Sequence, residues 1–255
     1  MVAPVFDIIN QMHWLSILLA MLAVFAGAFI KGTAGFGFGM VAAPVMMIID
    51  PVFVPGPLLV LAMMASMLIV FKEWRNIDVK GLSFALSGRL TGTLLAVVMV
   101  SFIPLALYGI VFGILVLGAI LLSVNGWRFV SSNRNLITAG VASGFMGTLT
   151  SIGAPPIAMV YQHEKVAVIR STLAAFFLFG TAISIAALYL SGRFTLEQFI
   201  ISILFIPPLL GGLRLSTFIV AKLNMRIVRF AILSLSGISS IILIIRSAIA
   251  LINVV

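Results

Sequence analysis

The stretch Lys31-Gly32-Thr33-Ala34-Gly35-Phe36-Gly37-Phe38-Gly39-Met40-Val41-Ala42-Ala43-Pro44 decides how this chain is read. It lies between two apolar runs, Leu15 to Ile30 and Met40 to Ile49, and carries four glycines within eight positions. In a water-soluble protein it would be a flexible loop. In so apolar a chain it is a break in a helix at membrane depth. Unpaired backbone groups cost several kcal/mol in hydrocarbon, so such a break survives only where protein buries it or where it lines a cavity. Lys31, at the start of the break, is an ionisable group within an apolar segment and by default a functional-site candidate.

The stretch has an echo. A shift of 112 positions sets Gly32 on Gly144, Gly35 on Gly147 and Pro44 on Pro156. The second copy runs Gly144-Phe145-Met146-Gly147-Thr148-Leu149-Thr150-Ser151-Ile152-Gly153-Ala154-Pro155-Pro156. Both copies follow an apolar run and precede a short one. Paired Gly/Pro-interrupted segments of this kind are the best sequence pointer to the binding site of a transporter built from internal repeats.

Composition bounds the rest. Of 255 residues, 63% are hydrophobic and 8% charged, with a mean hydropathy of +1.32, whereas a soluble domain carries about 25% charged residues. The fold class is therefore all-α, polytopic and membrane-embedded. A transmembrane barrel would alternate apolar and polar residues, and these runs are unbroken. The net charge of +9 sits between the apolar runs, where it sets topology and is not read as a nucleic-acid surface. There is no cysteine, so disulfides and thiolate metal sites are excluded. The N-terminus lacks the basic region and cleavage site of a signal peptide, and Met1 to His13 reads as a short aqueous or interfacial tail.

A spanning helix needs about 20 mostly apolar residues. Ten segments qualify in whole or part: 15–30, 37–49, 52–71, 82–101, 105–124, 136–152, 154–161, 166–190, 198–213 and 227–253. Segments 37–49 and 154–161 are too short to cross and are expected to form hairpins or broken helices with their predecessors. Leu213 to Leu223 is expected to be an extra interfacial piece.

Lys72, Arg75, Lys80, Arg128, Arg134, Lys165, Arg170, Arg214, Lys222, Arg226 and Arg229 fall in alternate connections, eleven of the fifteen basic residues. The opposite connections hold only Arg193. The positive-inside rule then places the eleven in the cytoplasm and both termini outside. Five segments per copy invert the second relative to the first. The expected organisation is repeat 1 over 1–124, a cytoplasmic linker over 125–135 and repeat 2 over 136–255.

The expected pathway residues follow from chemistry. Glycines leave amides unshielded, so N–H groups of Gly35, Gly37, Gly39 and Gly153 can point at an anion. Thr148, Thr150 and Ser151 add hydroxyl donors, and Pro44 and Pro155 mark the two returns. Gly88 and Gly92, by contrast, fit close helix packing. Arg89 sits seven residues inside its segment, about 10 Å deep, and can either snorkel or meet an anion. Lys31 carries the same ambiguity, and Arg170 is either a pathway charge or a topology charge. Arg246 fits snorkelling at the end of the last helix.

All six carboxylates, Asp7, Asp50, Glu73, Asp78, Glu164 and Glu197, lie in tails, loops or segment ends. An acidic proton relay or cation-selective ring is thus not visible. His13 and His163 lack ligand neighbours, and no nucleotide fingerprint occurs, so no metal or cofactor is expected. His163, beside the second short segment, fits a solvated loop residue or, alternatively, a proton or substrate contact.

Gly32 to Pro44 resembles the N-terminal signature of the TauE/SafE-type sulfite exporters. Thr150-Ser151-Ile152-Gly153-Ala154-Pro155-Pro156 and Arg170-Ser171-Thr172 resemble the corresponding second-half elements. The resemblance covers essentially the whole chain. It implies a secondary transporter in a bacterial or archaeal cytoplasmic membrane that exports sulfite or a related sulfur-containing anion. Its partners would be that anion and membrane lipid, with room for a homodimer. An anion channel, an intramembrane enzyme and a carrier of cations or neutral solutes are the rival readings. The enzyme is disfavoured because no nucleophile–base pair lies at depth.

Overall fold

The computed structural model describes residues 13–124, 129–219 and 225–252. Most of the expected N-terminal tail, positions 125–128 of the expected linker and 220–223 of the expected interfacial piece lie outside them. Within these residues the chain is all-helical, with no strand. In chain order the helices are α1 (Trp14–Ala34), α2 (Phe38–Ile49), α3 (Gly56–Glu73), α4 (Val79–Phe102), α5 (Leu105–Val124), α6 (Asn133–Thr150), α7 (Ala154–Tyr161), α8 (Val166–Leu190), α9 (Leu196–Leu204), α10 (Ile206–Ile219) and α11 (Met225–Ile252). Two 3₁₀ turns, Pro51–Phe53 and Trp74–Asn76, flank α3.

Six helices are long and apolar enough to cross a membrane, and α9 with α10 makes a seventh, bent by 48°. The apolar run predicts an unbroken segment over 198–213. The structure extends it to 196–219 and breaks it at Phe205, whose amide turns back onto Ser202 O at 3.1 Å. Two prolines, Pro207 and Pro208, follow at once, and proline is tolerated in a helix only in the first turn. A capping box at Thr195 and Gln198 starts the span.

Helix α6 begins at Asn133, earlier than the apolar run at 136, because Ser132 caps it by accepting the Asn135 amide at 3.3 Å. Its first turn is polar and escaped a hydropathy reading. Helix α2 has 12 residues and α7 has 8, about 18 and 12 Å at 1.5 Å per residue, too short for a core of about 30 Å.

The packing has an exchange pattern. Helix α1 packs on α10 while α4 packs on α6; α3 packs on α8, and α5 on α11. Helix α2 touches α11 while α7 touches α5; α4 touches α8 while α9 and α10 touch α3. Counting α9 and α10 as one span, these contacts recur with the halves swapped, whereas the contacts of α5 with α2 and α6 have no counterpart of like size.

Glycine makes the tightest of these seams. A Cβ on Gly88 or Gly92 of α4 would overlap the carbonyls of Ile137 or Val141 of α6, and a Cβ on Gly140 or Gly144 would overlap those of Ala85 or Arg89 in return. Gly88 and Gly92 thus do serve close packing. Elsewhere the apolar surface faces outward: Ile114 and Leu121 on α5 and Ile238 and Ile245 on α11 are exposed, as lipid-facing helices require. Trp14 and Trp74 are exposed at helix ends, where indoles favour the membrane boundary.

Candidate functional site

The first break is built by two left-handed residues. Gly35 (φ 84°) ends α1, its amide donating to Lys31 O at 2.8 Å, and Gly37 (φ 95°) starts α2. Only glycine adopts this backbone region without penalty. Helix α2 then folds back on α1, where a Cβ on Gly27 would lie 2.8 Å from Phe38 O. The second break turns on Ser151, the one non-glycine residue with positive φ (62°) among the described residues. Ser143 Oγ ties it back to α6 by donating to Gly153 O at 2.5 Å.

The two breaks touch. A Cβ on Gly39 would overlap the Ser151 carbonyl. Between them lies a small cavity, open to about 30 Å³ for a water-sized sphere, lined by Lys31, Gly37, Gly39, Arg89, Gly147, Ser151, Gly153, Phe177 and Thr181 among others. Anions are favoured at helix N-termini, and those of α2 and α7 both face this space. The amides of Phe38 and Gly39 have no acceptor within their own helix. Helix α7 is poorer in donors, because Pro155 and Pro156 carry no N–H.

Arg89 compensates on that side. It is 1% exposed and does not snorkel. Its Nη1 donates to Ser143 Oγ at 3.2 Å, whereas its buried Nε has no hydrogen-bond partner. The guanidinium lies 5.0 and 5.8 Å from the ring centroids of Phe176 and Phe177. Gly180 makes the room: a Cβ there would overlap Arg89 Nε.

Lys31 is 2% exposed. Its Nζ donates to Ser66 Oγ at 2.7 Å and Ala62 O at 3.2 Å and lies 5.3 Å from the Phe177 centroid. No carboxylate meets either cation. The only ion pair among the described residues is Arg170–Glu73, at 2.9 Å. A buried charge is costly unless paired, and neither Lys31 nor Arg89 has a carboxylate partner among the described residues. Two such groups on one cavity can take up an anion.

A family model agrees with this picture: the one described as sulfite exporter TauE/SafE matches residues 19–243. The chain belongs to the TauE/SafE family. It is therefore a multi-pass membrane protein of a transporter family for sulfite and related sulfur anions, not an enzyme family. No curated protein and no solved structure matches the chain.

Of the residues singled out in this TauE/SafE sequence, Lys31, Gly37, Gly39, Arg89, Ser151 and Gly153 line the cavity. Thr148 stands behind it, bonded to Thr93 at 3.2 Å and Ser184 at 2.8 Å. Thr150 is engaged locally, donating to Met146 O at 2.7 Å and accepting from Ile152 N at 3.2 Å. Pro44 is buried within α2 and Pro155 sits in the first turn of α7. Arg170 packs over Gly35 with Glu73 as partner, and His163 is exposed in the turn after α7. Arg246 closes α2, its Nη1 donating to Ile48 O at 2.9 Å.

Ser66, Ser143, Phe177 and Gly180 were not read from the sequence. Ser143 had a signal: the same 112-position shift pairs it with Lys31. The others sit in uninterrupted apolar runs where nothing marks them.

Proposed function

We propose that the chain is a secondary carrier exporting sulfite or a closely related sulfur oxyanion by alternating access around the cavity between the two breaks. The observation that carries this is the pair of buried, carboxylate-free cations, Lys31 and Arg89, on one cavity. In the proposed pose, the Arg89 Nη groups hold one oxygen edge of the anion and Lys31 the other. The amides at Gly37 to Gly39 complete its solvation.

The exchange pattern of helix packing supports two inverted repeats, over 1–124 and 136–255, joined by 125–135. With the loop cations in the cytoplasm, both termini lie outside a bacterial or archaeal cytoplasmic membrane. Access would then alternate as α2 and α7, carried on their glycine turns, shift against the α3–α8 pair.

The test is uptake of labelled sulfite into proteoliposomes, with sulfate, thiosulfate, a sulfonate and chloride as competitors. Saturable uptake that accelerates with internal sulfite is expected. Flux that never saturates and shows no counterflow would make it a channel; no sulfite flux would remove the substrate. Arg89→Gln is expected to weaken half-saturation at least about thirtyfold, the cost of removing one partner of a buried charge pair.

A further inference from the structure

Phe177 lies within cation–π distance of both buried cations, its ring centroid 5.3 Å from Lys31 Nζ and 5.8 Å from Arg89 Cζ. An aromatic face carries partial negative charge and attracts a cation within about 6 Å. Where no carboxylate is present, that face is what balances the two cations. Phe176 also lies over Arg89, at 5.0 Å, but it is fully buried and does not border the cavity, whereas Phe177 does. The two rings meet edge-on, 5.4 Å apart at 75°, so Phe176 is the fixed wall and Phe177 the inner surface.

The open space is small, about 30 Å³ for the centre of a water-sized sphere, and an anion that is to touch both cations must take over the contacts that the Phe177 ring now makes with them. The backbone walls are locked: Gly39 is seated on the Ser151 carbonyl, and Gly153 is tied to Ser143. Arg89 is wedged against Gly180 and Gly147. The Phe177 side chain has no polar tie and only two torsions to turn.

We propose that Phe177 is a placeholder for the substrate anion: its ring occupies the space between Lys31 and Arg89 in the empty carrier and swings aside when the anion enters. The proposal rests on the cavity being the anion site. The ring therefore competes with every anion, and only one that satisfies both cations better displaces it. Phe177 lowers the affinity for every anion that must displace it, and the preference for an oxyanion over chloride comes from the two cations, since chloride offers no fork for the guanidinium.

The experiment is calorimetric titration of the purified full chain in detergent with sodium sulfite and, separately, sodium chloride. It compares wild type, Phe177→Leu and a variant with pentafluorophenylalanine at 177, which keeps the shape of the ring and reverses the charge of its face. Sulfite is expected to bind about tenfold tighter to both variants, the scale of a desolvated cation–π contact. Chloride is expected to gain by a similar factor, because it must displace the same ring. Unchanged or weaker sulfite binding in the pentafluoro variant overturns the placeholder, and that variant decides if Phe177→Leu fails to fold. Should wild type bind neither anion, the sulfite reading fails on its own. The placeholder then stands if the variants gain saturable binding and falls if they gain none.

Discussion

At the scale of the residue, Arg89 is where stability and function are opposed. Arg89 is 1% exposed with an orphaned Nε, and a charge buried without a carboxylate partner carries a desolvation cost that an apolar side chain of similar volume does not. Arg89→Met is therefore expected to raise the Tm in anion-free buffer. Sulfite is expected to raise the Tm of the wild type by binding only the folded state, and Arg89→Met should abolish that rise. A fall in Tm for Arg89→Met would mean that the guanidinium is a net structural asset. Gly180→Ala tests the same side chain from the opposite wall, since its methyl would occupy the place of Arg89 Nε. Transport should be lost while the protein still reaches the membrane, as measured by sulfite flux at matched protein level. Arg89 and Lys31 were visible in the sequence as charges at depth. Their snorkelling alternative could not be dismissed there, because exposure depends on which neighbour has no side chain. Gly180 is that neighbour, and nothing in its apolar surroundings announces it.

At the scale of the element, the glycine breaks were legible because four glycines in eight positions have no business in a lipid-spanning helix. What the spacing could not show is how each break is held. Gly35 is left-handed and lies against Arg170, 2.9 Å from its Cγ were a Cβ present. Gly35→Ala thus meets a backbone penalty of about 1–2 kcal/mol and a steric one together. It should lower both Tm and flux, and Arg170→Ala should not restore Tm, because Cα and Cβ of residue 170, 3.0 and 3.3 Å from the added methyl, stay in place. Recovery of Tm in the double variant would mean that the Arg170 side chain beyond Cβ, and not the backbone, accounts for the loss. Helix α2 is fastened at its far end by Arg246, whose guanidinium caps the Ile48 carbonyl and complements the negative end of the helix. From sequence Arg246 read as a snorkelling charge, because the carbonyl it caps lies 198 residues away. The kink between α9 and α10 escaped for a different reason. Its prolines sit inside an unbroken apolar run, and hydropathy is blind to direction.

At the scale of the whole molecule, the pairing of α1 with α10 and α4 with α6, and of α3 with α8 and α5 with α11, makes strong demands on topology. If the halves are inverted, helices that enter from opposite faces must lie side by side at the cavity, and the loop charges must follow. The sequence supports this through eleven cations in alternate connections, but charge bias is a statistical preference and packing without a bilayer has no inside. The absence of cysteine makes the question directly measurable. Arg75 and Lys165 are exposed at one set of connections, and Ser101 and Arg193, joined by a 3.2 Å hydrogen bond, at the other. Single Arg75→Cys and Lys165→Cys variants are expected to react with a membrane-impermeant maleimide only in inverted vesicles. Ser101→Cys and Arg193→Cys should react only in intact cells or spheroplasts. The reverse pattern would turn the whole protein over while leaving the repeats intact. A mixed pattern within either pair would break the inversion itself, because α4 (Val79–Phe102) and α8 (Val166–Leu190) each run from one member of the first pair to one member of the second, and inversion needs both to do so in the same direction. The exchange of partners between halves would then describe packing alone, and alternating access would need another geometry.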